Sequence, residues 1–172
     1  MKILRAFKYP PTHPSSLALL KKALGDGFPA LVDLYRQMDG FELQLEPDYT
    51  SDDLLLQLDC LRIDHADYLV GMLSHYSENF PGVLVIGSDA ATNLIALDCR
   101  GVSDADADEV EEADGRAAST SASSLDIKAP LVVFRADEEP YLHTCRIIAG
   151  SFAGFCLNDE VQEALRTAEV WG

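Results

Sequence analysis

At Asp39-Gly40 the spacing of apolar residues changes from a helical to a strand period, and that switch constrains the fold more than any other feature. Before it, Leu17, Leu20 and Leu24 recur at three- and four-residue intervals behind Pro14-Ser15-Ser16, with Gly25 just beyond, as in a short capped helix. Pro29 follows Phe28 at the first turn of a second helix, where a missing N–H costs nothing, and Leu31, Leu34, Tyr35 and Met38 share one face. After the switch Phe41, Leu43 and Leu45 alternate with polar residues, the signature of a strand with one buried face.

Further along, Leu54 to Ile63 is apolar enough for one or two strands, and Asp64 stands where it would cap a helix through Tyr68, Leu69, Met72, Leu73 and Tyr76. Val83 to Ile86 and Leu94 to Leu97 form a hairpin candidate about the polar link 87–93. Leu131 to Phe134 resumes strand, the stretch near Tyr141 to Ile148 offers another, and Ser151 precedes one terminal helix carrying Phe152, Phe155, Val161 and Leu165. Helices and antiparallel-type strands in one chain of 172 residues, 48% apolar, predict a single α+β domain over 1–172.

Charge narrows the partners. Lys and Arg number 13 against 29 Asp and Glu, a net charge of −16, which disfavours nucleic acid and anionic membrane and favours basic proteins. Residues 1–36 hold six basic side chains and two acidic ones, so the acidic field belongs to 37–172. Seven carboxylates fall between Asp104 and Asp114, and the Ser/Ala/Thr stretch 117–124 follows; 101–126 reads as a mobile acidic loop inserted in the sheet. The opening residues break their apolar positions with charges, unlike a secretory signal, and no apolar run is long enough to span a bilayer, so a cytoplasmic protein is expected. Cys60, Cys99, Cys145 and Cys156 have no CxxC spacing and read as small buried hydrophobes.

Three blocks resemble the SUKH superfamily, a group of fungal cell-wall-synthesis regulators and bacterial toxin-immunity proteins. They are Phe28-Pro29 with Asp39-Gly40-Phe41; Val85-Ile86-Gly87-Ser88-Asp89 with Asn93 to Asp98; and Ile148-Ala149-Gly150-Ser151-Phe152 with Phe155. The resemblance covers residues 14–157. Ala90, Ala91 and Thr92 stand where the family often has glycines, and the family's early tryptophan is missing. It implies a twisted, antiparallel-rich sheet packed with helices, used to bind other proteins, with no catalytic centre and no cofactor.

Catalytic and metal motifs are absent from the sequence pattern. The glycines around Ser151 sit one before and three after, not at the two-residue spacing of a nucleophile elbow. The four histidines fall in separate contexts without HExxH spacing, and His143-Thr144-Cys145 lacks a near partner. Asp104, Asp106 and Asp108 alternate as in a calcium loop, but Glu109 and Gly115 occupy the positions of the obligatory glycine and glutamate. No phosphate-cradling glycine loop occurs. Together with the acidic charge, the resemblance implies binding as the activity: an immunity protein that blocks a cognate basic toxin, such as a nuclease whose cationic cleft carboxylates can occupy in place of phosphates. Candidate contacts are Asp48, Asp52, Asp53, Asp89 and the loop residues Asp104, Asp106 and Asp108. The alternative is a regulatory or scaffold protein with an endogenous cytoplasmic partner.

Overall fold

A computed structural model describes residues 1–89, 91–102, 125–137 and 145–171. Among the described residues eight strands form one mixed sheet in the order β7-β6-β5-β4-β3-β2-β1-β8. These are β1 Ile3–Lys8, β2 Phe41–Leu45, β3 Cys60–Ile63, β4 Val83–Ser88, β5 Asn93–Asp98, β6 Leu131–Arg135, β7 Arg146–Ala149 and β8 Glu169–Val170. Neighbours from β1 to β7 pair antiparallel, and only β8, against β1, is parallel. The α+β class and the antiparallel-rich sheet expected from the sequence are what the chain adopts.

The helices are α1 Pro14–Leu24, α2 Pro29–Gln37, α3 Leu54–Gln57, α4 Ala66–Asn79, α5 Leu125–Lys128, α6 Phe152–Cys156 and α7 Asp159–Thr167. Leu20, Leu31, Tyr35, Leu69, Phe152 and Val161 pack from them onto the sheet face that carries Leu43, Leu61, Ile63, Ile86, Ile95, Leu131 and Val133. The opposite face holds a smaller cluster in which Phe80 covers Val85, Ala96, Val132 and Phe134. Sheets buried on both faces lose the clean alternation of one-sided strands, which is why β6 reads as the unbroken run Leu131 to Phe134.

Several expectations need correction. Leu54–Gln57 is helix, not strand: Asp53 caps it by accepting from the Leu55 N–H at 3.0 Å, and Leu54 and Leu58, four apart, are both buried. Asp64 does not cap α4. The Ala66 N–H instead donates to Asp39 Oδ1 at 2.9 Å, while Asp64 takes Arg62 Nε at 3.1 Å. The terminal helix is two, parted at Leu157, with Asn158 accepting from the Glu160 and Val161 N–H groups. Of the segment 101–126, expected as a mobile acidic loop, residues 103–124 lie outside the described residues, and its last residues belong to α5. Asp126 is fully buried, and its Oδ2 accepts from the Leu31 N–H at 2.9 Å. Phe28 gives α2 no side-chain cap, so Asp126 supplies one from 95 residues away.

Two of the three blocks that carry the SUKH resemblance meet at β3. A Cβ on Gly40, at φ +90°, would lie 2.4 Å from the Ile63 carbonyl oxygen, and one on Gly87 would lie 1.8 Å from that of Arg62. Both glycines are there because another backbone passes where a side chain would stand. Ser88 accepts from Arg62 Nη2 at 3.0 Å, and Ser151 caps α6 through the Gly154 N–H at 3.0 Å. In this molecule the motif residues are joints of the frame.

Candidate functional site

The link between β2 and β3, Glu46 to Asp59, carries five carboxylates and no basic residue. Asp48 opens it: its Oδ1 accepts from the Thr50 amide at 3.0 Å and the Thr50 hydroxyl at 2.6 Å, a local turn that holds the carboxyl below its ordinary range. Asp52 is exposed and makes no hydrogen bond or ion pair among the described residues. Asp53 is half-buried, occupied by its capping bond, and has Arg146 Nε of β7 3.8 Å away. Asp59 is exposed and receives only a long 3.4 Å contact from the Tyr49 hydroxyl. Tyr49 is 71% exposed and Leu56 44%, so large apolar groups stand among the acids. Because the sheet curls, α3 touches β6 and β7, bringing this link beside the edge strand whose Ile147 is 64% exposed.

Asp89 does not belong to this surface. It is 7% exposed, and its carboxylate is consumed by the hairpin tip: Oδ1 accepts from the Ala91 N–H at 2.8 Å and the Asn93 N–H at 3.1 Å, and Oδ2 from the Asn93 side-chain amide. The tip that lacks the family's glycines is thus wired by an aspartate instead. Asp104, Asp106 and Asp108 lie outside the described residues. Of the expected contacts the structure brings together Asp48, Asp52 and Asp53, and adds Glu46 and Asp59, which sequence reasoning passed over. Their common signal was an acidic run between two apolar strands.

Among the described residues no three His, Cys, Asp or Glu side chains converge as a metal site. Asp39 Oδ2 lies 3.3 Å from His65 Nδ1, but its Oδ1 serves Thr12 and the start of α4, which gives it a structural task. An open groove of about 880 Å³ between α2, α6 and α7 is floored by Ala30, Leu34 and Leu165. Three of its rim charges are already engaged within pairs of the same wall, Asp33 by Arg36, Glu163 by Arg166, and Lys8 by the Leu165 carbonyl, while Asp159 has no such partner among the described residues. No helix of the described residues is long and apolar enough to cross a membrane.

Burial pushes the thiols up, Cys60 and Cys156 to about 12 and Cys99 to about 11. All four cysteines are free. At pH 8 their thiolate fractions are small, so native protein is expected to react with iodoacetamide many times more slowly than protein in denaturant. Mass spectrometry of a quenched time course measures this, and rapid native labelling of Cys60 would contradict the burial argument. The chain matches no protein-family model, and no curated protein matches it.

Proposed function

We propose that the protein is a non-catalytic, cytoplasmic binding domain of the SUKH kind, an immunity protein that neutralises a basic toxin by docking its acidic surface into the toxin's cationic cleft. The observation that supports this reading is the β2–β3 link, where Asp52 and Asp59 stand exposed with no ion pair among the described residues, beside the exposed Tyr49 and Leu56. Exposed carboxylates steer a basic partner and add specificity, while a rigid tyrosine supplies contact area at little entropic cost. The motif resemblance supports the same class of function. The net charge of −16 gives the long-range attraction its sign.

Capture of partners from a lysate of the source strain across a salt series tests the reading. A basic toxin domain released progressively as salt rises is the expected result. A housekeeping protein retained at all salts would replace it with the scaffold alternative. With the partner in hand, Asp52→Lys combined with Asp59→Lys should slow association about tenfold or more at low ionic strength, and far less once salt screens the surface. Stopped-flow association rates measure the effect. Asp53 is left out of that pair because reversing it would also remove the cap of α3.

A further inference from the structure

Strand β1 has two sides, and only one is paired along its length. Towards β2 the ladder runs from Ile3 to Lys8, broken only at Leu4, where the register shifts. On the outer side β8 pairs with Phe7 and Lys8 alone, in parallel register, with Glu169 opposite Phe7 and Val170 opposite Lys8. Among the described residues no other strand lies there, and no backbone bond outside the ladders reaches Ile3, Leu4, Arg5 or Ala6. The reason is the direction from which the chain arrives. Helix α7 ends at Thr167 and Ala168 alone separates it from β8, so the strap Glu169 to Trp171 comes in from the helix and cannot run along the start of β1. An open groove of about 630 Å³ follows the unpaired stretch, with Met1 to Ala6 on one wall and Glu160, Glu163, Ala164 and Thr167 of α7 on the other. Leu4, at the register shift, is 57% exposed beside it.

The strap itself displays the chemistry that this edge recognises. Glu169 accepts from Arg5 Nη2 at 2.6 Å and Nε at 3.0 Å, and the Arg5 guanidinium lies 4.8 Å from the Phe7 ring centre. Two residues on, the Trp171 N–H donates to the Lys8 carbonyl at 3.0 Å, and its ring stands 4.7 Å from Phe7 and 5.4 Å, edge-on, from Tyr9. A carboxylate followed at the second position by an aromatic, on extended backbone, thus meets Arg5, Phe7, Lys8 and Tyr9. The hold is slight: the ion pair is more than half exposed on both sides, Val170 is 61% and Trp171 40% exposed, and the pairing is two residues long. Upstream, where Glu160 and Glu163 line the α7 wall, uncharged residues fit better than a further acid.

We propose that the outer edge of β1 is a strand-addition site for an extended segment of a partner protein in which an uncharged run precedes glutamate, any residue and an aromatic, and that Glu169–Trp171 is a strap holding this site half shut. The incoming segment takes the register of β8 but continues back past Phe7 to Ile3, filling the groove that the strap leaves empty. It gains four residue positions of pairing that the strap cannot make. The site draws a carboxylate where the β2–β3 link draws a cation, and it belongs to the basic region 1–36, so it goes beyond the acidic-surface reading.

Trp171 is the chain's only tryptophan, so its emission reports on the strap. The probe is the peptide Thr-Thr-Val-Thr-Glu-Val-Phe-Gly, capped at both ends and free of tryptophan, titrated into the full chain while Trp171 emission and hydrogen exchange are followed. The expected result is a saturable red shift of Trp171, as the strap leaves Phe7, together with slowed exchange within residues 3–6. The same peptide with glutamine in place of glutamate should bind about tenfold more weakly. Glu169→Gln, which loosens the strap and leaves β1 intact, should bind the parent peptide about threefold tighter or more, because a larger fraction of the site stands open. Peptide bound with Trp171 emission or the exchange of residues 3–6 unmoved would overturn the site, and so would equal affinity for the two peptides or no tightening in Glu169→Gln. Absence of binding at millimolar peptide would overturn it as well.

Discussion

Replacing Gly87 with alanine is expected to destabilise the protein by about 3 kcal/mol or more, at the top of the range for forcing extra atoms into a packed site. The added Cβ would lie 1.8 Å from the Arg62 carbonyl oxygen, 2.9 Å from its carbon and 3.1 Å from the Ile63 Cα. None of these is the far end of a flexible side chain. Relief requires β3 and β4 to separate, and they share only the two register pairs Arg62–Ser88 and Ile63–Gly87. The bond from Asp64 N–H to the Ile86 carbonyl and that from Arg62 to Ser88 lie on the same junction and would be stretched with it. For a domain of this size the loss corresponds to a fall in Tm of roughly 6–12 °C. A thermal melt by circular dichroism measures it, and a melt within about 2 °C of the parent would show that the two strands can part cheaply.

Asp126→Ala is the second large effect, at about 2–3 kcal/mol, summing the loss of a helix cap with the burial of an unsatisfied donor. The Leu31 N–H belongs to the first turn of α2, and with Phe28 offering no side-chain oxygen the distant carboxylate is its acceptor. Asp126→Asn keeps an acceptor oxygen in the same place, so it should retain about half of that stability. Urea denaturation of the two variants separates hydrogen bonding from simple loss of packing: equal destabilisation would remove the cap from the explanation.

These two residues also mark what the sequence disclosed. Gly87 was visible as part of a turn-like motif, but its cause, the Arg62 carbonyl, is a contact 25 residues away and carries no local pattern. In sequence Asp126 reads as the tail of an acidic loop, because nothing in its neighbourhood announces a helix start 95 residues earlier. Where a residue's role is local, the reading was direct: Phe41, Leu43 and Leu45 alternate because one face of β2 is buried, Pro29 opens α2, and Ser151 caps α6. Leu54-Leu55-Leu56 misled because three consecutive leucines have no period, leaving the capping Asp53 as the better signal. β1 was hidden by Lys2, Arg5 and Lys8, charges suited to a strand near the sheet margin. β8 pairs only two residues, Glu169 and Val170, too short for any pattern to show.

The site divides in the same way. Asp48 and Asp52 were legible because an exposed acidic link needs no tertiary partner to be recognised. Asp89 was not, since an aspartate that bonds its own turn has the same composition as one that greets a partner.

The strand order has a temporal side. From β1 to β7 each strand's neighbour is the next in the chain, so hairpin by hairpin the sheet can be added as the polypeptide emerges. Two closures cannot follow that order: β8 onto β1, and Asp126 onto α2. A nascent chain released before residue 126 has an uncapped α2 and an open β1 edge; protection of α2 against hydrogen exchange waits for Asp126, and protection of the outer β1 edge for Glu169 and Val170.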